Sequence, residues 1–323
     1  MPGAMTTGGG ARVRVFAPAT VSNLGPGFDV LGLALHRPGD VVEAALTDGP
    51  GVELAEVTGE GGSLPRDARR NAAGVAAGDV LRRAAGAGRV PGLRLWLHKG
   101  MPLASGLGSS GASAAGGAVA ANEALGRPLG PDALVACAMA GERAACGSAH
   151  ADNVAPAVLG GIVLIRSCDP LDLVRLPVPD GLFIVVVHPH CAVSTADARA
   201  RLAGREFALS DIVANAGNLG ALVAALYSGD LALLGRSVGD RIVEPLRAPM
   251  IPAAAAVRAA ARDAGALGCG ISGSGPSMFA LCDSADAAAR AALAMRRAFR
   301  DHASLGSEAW VGPVNREGAH ILP

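Results

Sequence analysis

Apolar and polar residues alternate along Val13-Arg14-Val15-Phe16-Ala17. The same two-residue period returns in Asp40-Val41-Val42-Glu43-Ala44 and in Leu93-Arg94-Leu95-Trp96-Leu97. Successive side chains of a strand point to opposite faces, so all three segments read as half-buried strands. Residues 71–85 change to helical spacing, with apolar positions near Val75, Val80 and Leu81. Residues 109–125 have a helical composition and stop at Gly126-Arg127-Pro128. Pro131-Asp132 opens the next helix, since proline is tolerated in a first turn whose N–H groups lack helical partners, and it runs to about Cys146-Gly147. Residues 161–165 form a short apolar strand. Residues 183–187 are continuously apolar, as in a strand covered on both faces. Further helices are expected at residues 195–202, 212–226, 254–265 and 286–300, and strands at 278–281 and 308–314. Elements alternate without the even period of a βα barrel, which predicts an α+β chain of two packed layers in two domains. The Pro- and Asp-rich stretch 167–180 is the expected boundary, dividing the chain into residues 1–170 and 171–323.

Composition narrows the function classes. The 323 residues suffice for two domains at roughly 150 residues each. Half the chain is hydrophobic, mostly Ala, Val and Leu, and net charge is zero. A protein that coats nucleic acid carries a clustered basic face; none is visible, so no nucleic-acid partner is expected. Lys99 is the single lysine. Cys137, Cys146, Cys168, Cys191, Cys269 and Cys282 form no C-x-x-C pair, and the simplest reading is reduced, buried thiols in a cytoplasmic protein. Residues 1–10 lack the apolar centre of a secretory signal and read as a loose tail. No run reaches the ~18 consecutive apolar residues of a membrane span, so no membrane is expected.

Three glycine-rich segments carry the chemistry: Pro18-Ala19-Thr20-Val21-Ser22-Asn23-Leu24-Gly25-Pro26-Gly27-Phe28-Asp29, Pro102-Leu103-Ala104-Ser105-Gly106-Leu107-Gly108-Ser109-Ser110-Gly111-Ala112-Ser113, and Gly268-Cys269-Gly270-Ile271-Ser272-Gly273-Ser274-Gly275-Pro276-Ser277. In the second, Gly106 and Gly108 allow left-handed backbone and close approach of a ligand. Ser109 and Ser110 open a long helix, whose free N–H groups and dipole favour phosphate. The segment lacks the Gly-Lys-Ser/Thr of a P-loop and the spacing of a dinucleotide fingerprint. Taken alone it is equally a flexible Gly/Ser turn.

The three segments together resemble the GHMP kinases, named for galactokinase, homoserine kinase, mevalonate kinase and phosphomevalonate kinase. The second segment resembles that family's phosphate loop and Gly270–Ser277 its third motif. Asn23–Asp29, His150-Ala151-Asp152-Asn153-Val154-Ala155-Pro156, Ser194-Thr195-Ala196-Asp197-Ala198-Arg199 and Glu244-Pro245-Leu246-Arg247 are similar to the homoserine kinases within it. The resemblance covers about residues 13–281. It implies the two-domain fold of the family: an N-terminal nucleotide-binding domain, a ferredoxin-like C-terminal domain and an active site between them. It implies ATP and L-homoserine as substrates and Mg²⁺ as cofactor; a homodimer is left open by the sequence. Pro102, Leu103, Ala104, Ser105, Gly106, Leu107, Gly108, Ser109, Ser110, Gly111 and Ala112, with Gly273, Ser274 and Gly275, would hold the nucleotide.

Ser110 and Glu142 would hold Mg²⁺. A carboxylate in a small, apolar helix is costly without a partner, and Arg143 is the alternative partner to a cation. Asn23, Asp29, His150, Arg199 and Arg247 match homoserine-contacting positions. Asp29 suits an ammonium; Arg199 and Arg247 suit a carboxylate gripped at two points. Asn153, His150 and Arg199 are the catalytic candidates. Asn153 stands where some relatives have an aspartate base, and it would orient the hydroxyl while positioning and charge neutralisation drive the transfer. Asp152 is the reserve base. Asn71 would approach adenine or cap its helix. His188-Pro189-His190-Cys191 is declined as a metal site for want of further ligands; Met101 and Trp96 read as core. Gly111 departs from the family's usual alanine and would loosen the helix start; Val21-Ser22 replaces its usual small polar pair. A kinase for another small alcohol and a non-catalytic nucleotide-binding protein are the competing readings.

Overall fold

The computed structural model describes residues 12–59, 61–85, 91–147 and 150–323, and nothing of the Cys146 side chain; the tail expected at residues 1–10 lies outside them. Seven strands form the first sheet: β1 (Val13–Ser22), β2 (Leu31–Thr47), β3 (Val52–Thr58), β4 (Gly92–His98), β5 (Ile162–Cys168), β6 (Leu171–Leu176) and β11 (His320–Ile321). The order is β11-β1-β2-β4-β3, with β5 on β2 and β6 on β5. β2 has 17 residues: β1 runs along one edge, while β5 and then β4 take the other. Leu31 stands opposite Leu164 of β5, and Val41 opposite His98 of β4. Four helices, α1 (Ala72–Ala85), α2 (Ser109–Ala124), α3 (Pro131–Cys146) and α4 (Ala151–Leu159), pack on the face that carries Val15, Val42 and Leu95. Their side chains are mostly Ala and Gly, so burial per residue is small and close approach supplies the contact. At Gly117 of α2 a methyl group would sit 2.3 Å from the Ala73 carbonyl of α1.

The second sheet holds β7 (Phe183–Pro189), β8 (Gly268–Ile271), β9 (Met278–Cys282) and β10 (Ser307–Pro313), all antiparallel, in the order β10-β7-β9-β8. Counted within this half the order is fourth-first-third-second, that of a ferredoxin-like sheet. Helices α9 (Ala254–Asp263) and α10 (Ala285–Ala303) cover one face through Val257, Met295 and Phe299. Ile184 and Val186 on the other face pack against Leu33 and Leu35 of β2. The apolar run of β7 is therefore buried on both sides. Between β7 and β8 lie α5 (Thr195–Ala200), α6 (Leu209–Ser228), α7 (Leu231–Arg236) and α8 (Glu244–Arg247).

The division expected at residue 170 falls in the turn of the β5–β6 hairpin, where Ile162 opposes Leu176. Because β6 pairs in the first sheet, we propose the division after Leu176. Trp96 is not core: it is half-buried, with the Arg12 guanidinium 3.8 Å over its ring. Met101 is buried. Cys168 is exposed and Cys191 half-buried, against the expectation of buried thiols, whereas Cys137, Cys269 and Cys282 are buried; these five are free. Helix α6 is long and apolar enough to cross a membrane by length and composition alone, and most of it is exposed. Its Leu222, Ala225 and Leu226 nevertheless pack into the core.

Candidate active site

The three glycine-rich segments converge on one cavity of about 770 Å³ between the two sheets. Its floor is the loop before α2. Gly106 (φ 76°) and Gly108 (φ 67°) both take left-handed backbone. A methyl group at Gly108 would lie 2.2 Å from Thr20 Oγ1, so only glycine lets this loop pass under β1. The third segment straps the loop down: Ser272 Oγ donates to the Gly106 carbonyl at 2.6 Å, and Ser277 N donates to the Ser105 carbonyl at 3.2 Å. Gly108 also serves as N-cap of α2 with no side-chain cap, which leaves first-turn N–H groups for an anion. Ser109 Oγ is buried with no hydrogen-bond partner among the described residues. Not every residue of the loop reaches the cavity. Leu107 and Ala112 are fully buried and pin the loop to the core. Pro102 and Gly275 also lie off the lining. Gly111 faces Asn153, where a methyl group would stand 3.1 Å from Asn153 Cβ. Its glycine makes room for Asn153, a tighter role than the loosened helix start expected of it.

The opposite wall is charged. Asp29 accepts from Arg199 Nη2 at 2.9 Å and Nη1 at 3.2 Å, and His150 Nδ1 lies 3.7 Å away. The guanidiniums of Arg199 and Arg247 both stand over the Phe28 ring, at 5.6 and 5.1 Å. Arg247 Nη1 and Asn23 Nδ2 donate to the same Gly273 carbonyl, at 2.8 and 3.2 Å, tying the first motif to the third. Asn23 Oδ1 also accepts from Asp29 N at 3.1 Å, so this amide shapes the wall as well as lining the cavity. Arg247 Nε is buried without a partner among the described residues. Helix α8 is short, and Asp240 holds it: its carboxylate accepts from the backbone N of Ile242, Val243 and Glu244 at 2.7–3.0 Å. Burial, followed by Arg199, pushes Arg247 below its usual value, and guanidinium remains charged.

Between floor and wall stands α4. His150 is its N-cap residue. Burial lowers its pKa, Asp29 raises it and Arg199 lowers it, which favours neutral imidazole. Asn153 Oδ1 accepts from Thr20 Oγ1 at 2.7 Å, which turns its NH₂ toward Asp152. Burial, with Asp29 and Glu142 adding to it, pushes Asp152 up to about 7; Arg199 and the Ser22 hydroxyl act against this. Asn71 acts as the cap of α1, its Oδ1 accepting from Ala73 N at 3.0 Å and its Nδ2 donating to the Pro65 carbonyl at 2.9 Å, while its residue still lines the cavity. The sequence assigns Thr20 and Phe28 no role of their own because each acts through a partner far along the chain, Asn153 for Thr20 and Arg199 and Arg247 for Phe28; Asp240 has no role there because its cap serves a helix too short to show in the pattern.

Glu142 is buried and lines the same cavity as Ser110. Its negative charge reaches both Asp152 and Lys99. Among the described residues no three His, Cys, Asp or Glu side chains converge. A hydroxyl from Ser110 and a carboxylate from Glu142 are oxygen donors of the kind that would suit Mg²⁺, which takes one or two protein oxygens and completes its shell with phosphate and water. His188, by contrast, is buried and bonded to Ser277 Oγ through Nδ1 at 3.1 Å.

Residues 71–161 match the model of the GHMP kinases N terminal domain and residues 222–301 that of the GHMP kinases C terminal domain. The chain belongs to the GHMP kinase family. It is 49% identical over 318 residues to the homoserine kinase of Chlorobium phaeovibrioides, covering 96% of this chain and 99% of that one. It is 46% identical, at the same coverage, to the homoserine kinase of Chloroherpeton thalassium. The crystal structure of homoserine kinase from Cytophaga hutchinsonii superposes with a TM-score of 0.92 at 48% identity, covering 99% of this chain and 100% of that one. Within the family, the chain belongs with the homoserine kinases.

Proposed function

We propose that the protein transfers the γ-phosphoryl group of ATP to the side-chain hydroxyl of L-homoserine, giving O-phospho-L-homoserine and ADP, a step toward threonine. The observation that carries this is the charged wall. Asp29, Arg199 and Arg247 offer one negative and two positive groups within one recess, a match for the ammonium and carboxylate of an α-amino acid. Mevalonate has no ammonium and a neutral sugar has neither charge. The phosphate loop and first turn of α2 hold the nucleotide. Mg²⁺, held by Ser110 and Glu142, would neutralise charge on the phosphates.

Asn153 donates from its NH₂ to the acceptor hydroxyl and aims it at the phosphorus. Its carbonyl is held by Thr20, so the amide is fixed before substrate arrives. No strong base is required, because little bond to the nucleophile has formed when the leaving bond is broken. The hydroxyl proton leaves on the transferred phosphoryl group. His150, neutral beside Asp29, and Arg199 orient the amino-acid end. The reading includes a cytoplasmic enzyme and a homodimer, for which the exposed Leu209, Ile212, Val213 and Tyr227 of α6 offer a surface; sedimentation velocity tests the dimer. Coupled ADP release over L-homoserine, mevalonate and galactose tests the activity. Turnover with L-homoserine alone is expected, and turnover with another alcohol in its place overturns the assignment.

A further inference from the structure

Lys99 is the single lysine among 28 lysine and arginine residues. It directly follows β4 and is buried, its side chain 1% exposed, against the Asp40 carboxylate of β2, which is fully buried. The Lys99 ammonium donates to Asp40 Oδ2, to the Ser109 carbonyl at 2.8 Å and to Ser113 Oγ at 2.9 Å. Ser113 Oγ in turn donates to Asp40 Oδ2 at 2.7 Å, and Gly100 N donates to Asp40 Oδ1 at 3.1 Å. An ammonium has three N–H donors, and all three are committed here. None is left for a phosphate oxygen, although the residue borders the cavity.

Two of those three acceptors, the Ser109 carbonyl and Ser113 Oγ, belong to the first turn and a half of α2. The contact thus fixes the position and tilt of the helix start that the proposed function makes the phosphate site. Burial holds Lys99 below its usual value, with Asp40 and then Glu142 acting against this. A carboxylate in direct contact keeps the amine charged, since a neutral amine would leave Asp40 buried and uncompensated.

Arginine would not serve. Its planar fork carries five donors, and this recess offers three acceptors around a point. At least two donors would be buried unpaired, a cost that falls on the geometry of the loop. A chain that otherwise uses arginine for every strong cation keeps lysine at this one place. We infer that Lys99, locked by Asp40 and Ser113, is the positioning residue that sets the phosphate-binding start of α2, and that arginine cannot replace it.

The inference rests on the nucleotide assignment above, and the test separates the two. ATP affinity with Mg²⁺ is measured by calorimetry, and KM for ATP and for homoserine by ADP release, for wild type, Lys99→Arg and the double variant Asp40→Asn/Lys99→Met. The double variant removes both buried charges together and so keeps the fold; thermal melts verify it. Both variants are expected to lose roughly tenfold or more in ATP affinity, with KM for homoserine within about threefold of wild type. A general structural role would move both KM values together and overturns the inference, as does near-wild-type ATP affinity in Lys99→Arg or in the double variant. A wild type that binds no ATP overturns the nucleotide assignment itself and the inference with it.

Discussion

Replacing Arg247 by alanine probes the substrate assignment most directly. One of its donors, Nη1, is committed to the Gly273 carbonyl, and Nε is buried with nothing to bond among the described residues. A carboxylate seated there would take a two-point grip. Each hydrogen bond to a charged group contributes ~1.5–3 kcal/mol. Arg199 shares the carboxylate and neighbouring contacts do not add, so the low end of the sum, ~3 kcal/mol, is the expected loss. At about 1.4 kcal/mol per factor of ten, kcat/KM for homoserine should fall roughly a hundredfold. The fold should survive, because the Gly273 carbonyl keeps Asn23 Nδ2 and the Asp240 cap of α8 does not involve the Arg247 side chain. Lysine at this position should not rescue, since it offers a point charge in place of a fork. The assay is ADP release at saturating ATP with homoserine varied, then the reverse. A fall in kcat/KM of less than about threefold, or an equal rise in KM for ATP, would refute the carboxylate grip.

Three further outcomes follow from the site. Folded Asp152 keeps its proton up to about pH 7, against 3.8 for the unperturbed group. Between those values the unfolded chain binds fewer protons, so stability falls as pH rises. Asp152→Asn should therefore raise the melting temperature above about pH 5, with a gain of up to ~4 kcal/mol near neutrality and none at about pH 4; retained turnover in the same variant would remove Asp152 as a base. Gly108→Ala forces a side chain into φ 67° and against Thr20 Oγ1, and calorimetry should find ATP affinity lost while homoserine still shifts the melting curve. Glu142→Gln keeps shape but removes charge, and the Mg²⁺ needed for half-maximal rate should rise roughly tenfold or more, read from a magnesium titration.

Much of the fold is legible in the chain because strong periodicity marks long elements. β4, α1, α2 and α10 fall within a few residues of their expected ends. Of β2 only residues 40–44 are expected, since the alternation lapses at Arg37-Pro38-Gly39, between its pairing with β5 and its pairing with β4. α4 went unseen because Pro156 sits inside it and the segment reads as a loop. β8 went unseen because Gly268 and Gly270 carry no strand signal; Phe279 fills the space beside Gly270, where a methyl group would stand 2.9 Å from its ring. The site was legible as motifs and not as geometry. Nothing in the sequence says that Asp29 meets Arg199 across 170 residues, or that Thr20 holds Asn153. Such pairs are products of the sheet-to-sheet packing, which periodicity does not encode.

The last strand, β11, lies beside the first, with Ile321 opposite Val15, and Leu35 forms a bridge with Val314. The first sheet is therefore closed by residues some 300 positions further along the chain than the strand they cover. The amino-terminal half can collapse early around α1–α4, yet its edge at β1 waits for the whole carboxy-terminal half to be made. Contacts of such long sequence separation slow folding. They also make the two halves inseparable as products of synthesis: a nascent chain stalled before residue 314 would carry both glycine-rich loops of the first half but present β1 as an open edge to any neighbouring chain.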